Sequence, residues 1–167
     1  MKTRNKTLFS ILFISLFVSC IKQKLPERIQ VGEQLPPFQV NTLNEETISN
    51  ETLTGKSGLI VFFSTTCPDC HKQIPEIESA YKETSGEKTI IAIAREEATE
   101  TVSRHWQEKE YTIPVAAPGN RDIYNLFDRG HGSGVPLLIF FDKEGTVTDT
   151  ADDKKFLKAN EILKILY

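Results

Sequence analysis

Two cysteines separated by two residues lie where an apolar run ends and an amphipathic pattern begins, and this junction constrains the fold most. Residues 58–63 are continuously apolar and rich in β-branched and aromatic side chains, which predicts a strand covered on both faces. Residues 68–85 then carry an apolar stripe that starts at Cys70 and has the i, i+4, i+7 spacing of a helix. The Cys-Pro-Asp-Cys motif that starts at Cys67 is therefore predicted at a strand-to-helix turn.

The positions of the two thiols predict unequal chemistry. Unpaired backbone N–H groups and the positive end of the helix dipole face Cys67, which should lower the pKa of its thiol below the free value of about 8.5. Pro68 suits the first helical position because no N–H is needed there. Cys70 falls on the buried stripe, so its thiol should have the higher pKa. We therefore predict that Cys67 attacks a disulfide and that Cys70 resolves the mixed disulfide.

The remaining pattern alternates strands with helices. Short apolar runs predict strands at 88–94 and 137–141, and a turn at 142–145 leads from the second run to a strand at 146–148, which forms a hairpin. A shorter hairpin is expected to turn at 44–45, and helices are predicted at 99–110, 120–127 and 156–167. The last helix is expected to pack through an apolar face of Phe156, Ala159, Leu163 and Leu166. This order of elements predicts an α/β layer fold with a central mixed sheet and an N-terminal β-hairpin.

The overall charge makes nucleic acid an unexpected partner. The chain has 167 residues, with 20 Lys and Arg against 23 Asp and Glu, so it lacks the basic footprint of a nucleic-acid-binding protein. Its length fits one domain. We therefore predict a single globular domain and no nucleic-acid partner.

The N-terminus has the pattern of an export signal. Lys2, Arg4 and Lys6 precede the apolar run 8–18. A membrane-spanning helix needs about 20 apolar residues, whereas a basic stretch followed by about 7–15 apolar residues is typical of a secretory signal. Residues 1–19 are therefore predicted to be a signal peptide outside the fold.

Residues 16–20, Leu-Phe-Val-Ser-Cys, resemble the bacterial lipobox, in which a cysteine is acylated and becomes the new N-terminus. Phe17 departs from the usual leucine. The alternatives are plain cleavage and an uncleaved anchor, and the sequence lacks the small-residue pair that plain cleavage favours. We predict a lipid on Cys20, a tether over 20–32 and a domain over 33–167, held on a membrane surface without spanning it.

The strand, the Cys-x-x-Cys turn, the helix and a later Val-Pro together resemble the thioredoxin fold, and specifically the extracytoplasmic TlpA/ResA-like thiol–disulfide oxidoreductases, over about residues 32–167. Residues 62–70 are similar to that family's aromatic strand and active-site turn, and residues 134–136 to its cis-proline loop. The resemblance implies that the Val135–Pro136 bond is cis and faces the cysteines. Val135 and Pro136 would then present an incoming peptide strand of the substrate.

The same resemblance implies the partners and the location. The protein would reduce or exchange disulfides in other exported proteins, and a membrane thiol reductase would supply its electrons. It would be anchored by lipid in the bacterial cell envelope, facing the periplasm. No metal and no organic cofactor is required for this chemistry.

Three residues depart from the family pattern. Thr66 replaces a tryptophan, Val61 occupies the place of thioredoxin's buried aspartate, and Gln73 occupies the place of a frequent glutamate. A buried carboxylate usually accepts the proton of the second thiol, so Cys70 must lose its proton to water or to a less obvious group. The negative charge of Asp69 is expected to oppose the helix-end effect on the first thiol and to favour a reducing potential. The residues predicted to support the active-site turn are Thr66, Pro68, Asp69 and Gln73.

Two metal-centred interpretations compete with thiol exchange. Residues 67–71 match C-x-x-C-H, the attachment motif of c-type haem, and His105 or His131 would be the axial ligand because the only methionine leaves with the signal peptide. The motif follows a predicted strand, however, whereas haem domains are usually helical. A zinc site would need the same histidines to complete half a tetrahedral set, and His71 directly adjoins the second cysteine.

Two further interpretations use the cysteines differently. A peroxiredoxin would need a proline and a threonine where the chain has Ile60 and Ser64. A binding module could carry the pair as a passive disulfide, although so small a loop constrains the unfolded chain little. Among other conspicuous residues, Trp106 is interpreted as a core aromatic, and the acidic pairs 96–97 and 152–153 are interpreted as solvated charge.

Overall fold

A five-stranded mixed sheet forms the centre of the computed structural model, which describes residues 27–132 and 134–167. The strands are β1 (Gln39–Asn41), β2 (Thr47–Ser49), β3 (Gly58–Phe63), β4 (Thr89–Ala94), β5 (Val115–Ala116), β6 (Leu137–Phe141) and β7 (Val147–Ala151). The sheet has the order β5-β4-β3-β6-β7, in which β3 is central. β4 lies parallel to β3 and β5, whereas β6 is antiparallel to β3 and β7. The predicted thioredoxin-like arrangement is confirmed.

Helices follow the strands as the alternation predicts. They are α1 (Asn50–Leu53), α2 (Pro68–Thr84), α3 (Thr99–Glu108), α4 (Arg121–Asp128) and α5 (Ala159–Leu166). α2 begins directly after the turn that ends β3, and it packs against α5. The predicted start of α2 at Pro68 is therefore correct, and the cysteine motif lies at the carboxyl end of the central strand.

The short N-terminal hairpin covers one edge of the sheet. β1 and β2 pair antiparallel, with buried Val40 opposite buried Ile48. The Leu43 N–H donates to the Val115 carbonyl at 2.8 Å, so the hairpin reaches edge strand β5. Such coverage protects backbone groups that would otherwise be open to pairing with another chain. The predicted hairpin extension is confirmed.

Aromatic side chains fill the core beneath the active-site end of β3. The ring of Phe62 lies 5.0 Å from that of Phe127, and the ring of Phe63 lies 4.8 Å from that of Trp106. The indole N–H of Trp106 donates to the Ile113 carbonyl at 2.9 Å, which satisfies its one polar atom. Burial of each such ring stabilises the fold by about 2–3 kcal/mol, so the core supports the strand that leads to the cysteines. The core interpretation of Trp106 is confirmed.

The last helix begins later than predicted. Phe156 is 50% exposed instead of packing on an apolar face, and Leu157 is buried in its place. The side chain of Gln73 accepts from the Leu157 N–H at 3.0 Å and donates to its carbonyl at 2.8 Å. This double contact ties Leu157 to α2, and α5 starts only at Ala159.

The described end of the predicted tether, residues 27–32, contacts the domain. Ile29 is fully buried, and its N–H donates to the Phe127 carbonyl at 2.9 Å. The Gly32 N–H donates to the Val147 carbonyl at 2.8 Å. Residues 28–32 therefore belong to the folded domain, because apolar burial and backbone pairing with the edge of β7 hold them there.

The predicted signal peptide and the lipidation site at Cys20 lie outside the described residues. Within the part of the chain that the structure describes, no helix combines the length and the apolar character needed to cross a membrane.

Candidate active site

Cys67 is the N-cap residue of α2, and its sulfur is both a donor and an acceptor. The Cys70 N–H donates to the Cys67 sulfur at 3.4 Å. The Cys67 thiol in turn donates to the carbonyl of Val135 at 3.0 Å. Its side chain is partly exposed, and Pro68 follows at the first helical position, where a missing N–H has no consequence. The first thiol therefore lies at the surface, directed at the loop before β6.

Cys70 is shielded from solvent, as the helical stripe predicts. It is 1% exposed and lies on the same buried face of α2 as Ile74 and Ile77. Burial raises the pKa of the Cys70 thiol strongly, and the neighbouring Cys67 and Glu97 raise it further. Both cysteines are free thiols in the structure. The pair thus joins one accessible sulfur to one that holds its proton.

The loop before β6 carries a cis peptide bond at Val135–Pro136, which confirms the expected geometry. Both residues are buried. The preceding Gly134 carbonyl accepts from the Tyr124 hydroxyl at 3.4 Å, which links the loop to α4. A second cis bond, Ala117–Pro118, was not predicted from the sequence. The structure therefore brings Val135 and Pro136 to Cys67, as the resemblance implies.

The residues that depart from the family pattern have separate environments. Thr66 is exposed, and its hydroxyl lies 3.0 Å from that of Ser64 within the turn. Val61 is fully buried in β3. Gln73 is buried, but its amide is engaged by the backbone of Leu157. Gln73 therefore acts as a structural link between α2 and the segment before α5.

Asp69, inside the motif, is exposed and forms an ion pair with Lys72 at 2.9 Å. An exposed pair of this kind contributes little to stability, but the lysine offsets part of the negative charge next to the thiols. Asp69 also lines a cleft of about 100 Å³ beside Pro136. The exposed ring of Phe156 lines the other part of this cleft.

Glu97 belongs to the site, although the sequence interpretation made it solvated charge. Its carboxylate accepts from the Thr65 N–H at 2.7 Å, two residues before Cys67. The signal was available in the topology, because Glu97 follows β4 and the carboxyl ends of parallel β3 and β4 meet at one edge of the sheet. Asp152 is a second correction, since it pairs with Arg28 at 3.0 Å.

The histidines do not gather into a metal site. His71 is exposed, and its Nε2 lies 2.6 Å from the Thr65 carbonyl. Its ring stacks on that of His105 at 5.5 Å, whereas His131 lies exposed in the loop after α4. Within residues 27–132 and 134–167, no group of three or more His, Cys, Asp or Glu side chains could hold a metal ion. Covalent haem attachment would also require exposure of Cys70, which is buried.

Comparisons with known proteins agree with this geometry. A family model described as AhpC/TSA family matches residues 31–150. The chain is 26% identical over 156 residues to a protein named thiol-disulfide oxidoreductase ResA from Bacillus cereus, and the match covers 87% of each chain. It is also 26% identical over 126 residues to thioredoxin-like protein YneN of Bacillus subtilis, where it covers 72% of this chain and 71% of the relative.

A solved structure has the same fold. A thiol:disulfide interchange protein of the thioredoxin family from Chlorobium tepidum superposes with a TM-score of 0.70 at 22% identity. The superposition covers 83% of this chain and 96% of that protein. The relatives named ResA confirm the predicted resemblance to TlpA/ResA-like oxidoreductases and the predicted enzyme class. The solved structure confirms the fold.

Proposed function

Because the chain belongs to the AhpC/TSA family, we propose that it is an exported, membrane-tethered thiol–disulfide oxidoreductase that reduces or exchanges disulfides in other exported proteins. One observation carries this proposal. An accessible Cys67 at the start of α2 lies next to a buried Cys70 and against the carbonyl of Val135. Two thiols so unequally placed suit attack by the first and resolution by the second.

The proposed reaction transfers two electrons from the dithiol to a substrate disulfide. The Cys67 thiolate attacks one substrate sulfur, the substrate S–S bond breaks, and the other substrate sulfur leaves as a thiolate that takes up a proton. Cys70 then loses its proton and attacks the Cys67 sulfur in the mixed disulfide. The second substrate thiol leaves, and the Cys67–Cys70 disulfide remains.

Substrate presentation is assigned to Val135 and Pro136. In the dithiol state the Val135 carbonyl accepts from the Cys67 thiol. When the Cys67 thiol ionises, the Val135 carbonyl loses its S–H donor. The carbonyl is then available to an N–H of an extended substrate segment. Pro136 has no N–H of its own, so this short backbone edge favours one alignment of the incoming strand.

The cellular setting is proposed from the N-terminal residues. The export pattern of residues 1–19 and the lipobox-like residues before Cys20 support attachment to a membrane surface on the periplasmic side. A membrane thiol reductase would return two electrons to the Cys67–Cys70 disulfide. Expression with a radiolabelled fatty acid should label the wild type and leave Cys20→Ser unlabelled. Equal labelling of both proteins would refute lipid attachment at Cys20.

Insulin reduction by dithiothreitol tests the activity. The wild type should accelerate the reaction, and Cys67→Ser should not, because it lacks the attacking thiol. Cys70→Ala should retain substrates on Cys67 as mixed disulfides, whereas the double variant Cys67→Ser/Cys70→Ala is the matched control that traps none. A wild type that binds polypeptides without accelerating reduction would instead be a binding module. A Soret band on the purified protein would favour a haem protein.

A further inference from the structure

Thr65 has both of its flanking peptide groups held by side chains of other elements. Its N–H donates to Glu97 Oε1 at 2.7 Å, and its hydroxyl lies 3.4 Å from the same oxygen. Its carbonyl lies 2.6 Å from His71 Nε2. Because a carbonyl only accepts, Nε2 must carry the proton in this contact. Thr65 thus receives one contact from the turn after β4 and one from the first turns of α2.

The loop that presents Glu97 is closely supported. The backbone carbonyl of Glu97 accepts from the Gly119 N–H at 2.6 Å. A Cβ at position 119 would lie 2.2 Å from the carbonyl carbon of Glu96, so only glycine allows this approach. The next N–H, from Asn120, donates to the Ala94 carbonyl at 2.9 Å. The carboxylate is therefore held by a loop whose backbone is paired on one side with the segment before α4.

His71 is also supported from behind. Its ring stacks on the ring of His105 with 5.5 Å between centroids and 21° between planes. His105 belongs to α3 and is partly buried beside Trp106 and Tyr111. Burial lowers the pKa of His105, which favours a neutral ring in the stack. This arrangement limits the directions in which the His71 ring can move.

The contacts of Glu97 and His71 with Thr65 fix the backbone that leads to Cys67. Thr65 lies in the turn between β3 and Cys67, and the Cys67 N–H donates to the Ser64 carbonyl at 3.2 Å. A rotation of either peptide group that flanks the Thr65 Cα would therefore move the Cys67 sulfur relative to its acceptor on Val135. A hydrogen bond from an N–H to a carboxylate is stronger than a hydrogen bond between neutral groups. Glu97 should therefore hold the Thr65 backbone more strongly than His71 does.

We propose that Glu97 and His71 are positioning residues, which together clamp the backbone on both sides of the Thr65 Cα and so hold the Cys67 thiol in its reactive place. This inference rests on the proposed exchange function of the cysteine pair. Neither residue transfers a proton or forms a bond in the reaction. The negative charge of Glu97 adds a second effect, because it helps to keep the neighbouring Cys70 protonated.

Two substitutions of Glu97 separate position from charge. Glu97→Ala removes the acceptor, and we expect kcat/KM for insulin reduction and the alkylation rate of Cys67 to fall by about tenfold. Glu97→Gln keeps an amide oxygen for the Thr65 N–H, so it should retain most of the alkylation rate. Loss of the negative charge should also move the pH profile of the Cys70 resolving step to lower pH. The adjacent Glu96 provides matched controls, since its carboxylate pairs with Arg121, and Glu96→Ala and Glu96→Gln should leave both rates unchanged.

A third variant tests the other side of the clamp. His71→Phe keeps a ring that can stack on His105 and removes the N–H donor, so it should reduce the same rates by about threefold. The double variant with Glu97→Ala should lose less than the product of the single losses, because both side chains hold the backbone of the same residue, Thr65. A double loss equal to that product would overturn the shared clamp.

The outcome also separates this inference from the proposed function. If wild type accelerates insulin reduction, Cys67→Ser does not, and folded Glu97→Ala keeps the wild-type rate, the clamp is refuted and the exchange function stands. If wild type itself is inactive, the proposed function fails first. Far-UV circular dichroism and the melting temperature of each variant establish that it is folded, and Glu97→Gln provides the comparison if Glu97→Ala does not fold.

Discussion

The turns after β3 and β4 have the same topology and different chemistry. Both parallel strands end at one edge of the sheet, and each leads into a helix. Cys67 caps α2 with a sulfur that accepts from the Cys70 N–H, whereas Ala98 caps α3 and makes no side-chain hydrogen bond. The second turn instead sends Glu97 across to the first. A helix start alone is therefore not a reactive site, since reactivity needs an ionisable acceptor at the cap and neighbours that hold it.

The largest expected effect is the difference in reactivity between the two thiols of the first turn. At about pH 7, iodoacetamide should modify Cys67 at least about a hundredfold faster than Cys70, because Cys70 is buried and its pKa is raised. Mass spectrometry of peptides from the reduced protein measures both rates. In guanidinium chloride the two rates should become similar, which controls for sequence effects. Equal rates in the folded protein would show that Cys67 and Cys70 do not differ in accessibility and reactivity.

The second prediction concerns pH and stability. Burial raises the pKa of Cys70 in the folded state, so the unfolded chain releases this proton first as pH rises. The stabilising contribution is therefore complete below about pH 8.5 and declines above it, by at most about 1.4 kcal/mol per pH unit. Urea unfolding of the reduced wild type and of Cys70→Ala should show a steeper decline for the wild type between about pH 8 and 10. Parallel profiles would show that burial does not hold the proton.

Much of the fold follows from local sequence. β3, β4 and β6 are apolar runs buried on both faces. The ends of such strands can be predicted because the apolar run stops there. The start of α5 was not predictable in this way, because Gln73 holds Leu157 from 84 residues away. The packing of Ile29 was missed for the same reason, since its partner Phe127 is distant in sequence.

Some residues of the candidate site could be predicted from local sequence, and others depend on contacts with distant residues. Cys67 and Cys70 belong to a short motif that sequence spacing reveals directly, whereas Pro136 was implied by the family resemblance. Glu97 is defined only by its contact with Thr65, 32 residues earlier, and a glutamate after a strand is usually solvated. Parallel pairing of β3 with β4 would have placed the two turns together. The direction in which the Glu97 side chain points could be learned only from the structure.

A smaller effect tests the cap function of the sulfur in the first turn. Cys67→Ala should lower the free energy of unfolding of the reduced protein by about 1 kcal/mol relative to Cys67→Ser, because serine retains a cap acceptor and alanine has none. Urea unfolding of both variants at one pH measures the difference. Both variants lack the attacking thiol, so activity does not bias the comparison. Equal stabilities would mean that the contact with the Cys70 N–H contributes nothing to the helix.

The smallest effect adds a cap to the second turn. Ala98 has an extended backbone, with φ −67° and ψ 152°, and this is the conformation that an N-cap serine adopts. Ala98→Ser should therefore accept from an N–H in the first turn of α3 and raise the free energy of unfolding by about 0.5–1 kcal/mol. Ala98→Val is the matched control, because it changes the exposed side chain without adding an acceptor. Insulin reduction should not change with Ala98→Ser, since stronger capping of α3 leaves Cys67 and the Glu97 carboxylate in place. An increase in exchange activity without a gain in stability would mean that the second turn acts on the first through motion of α3 rather than through the fixed contact with Thr65.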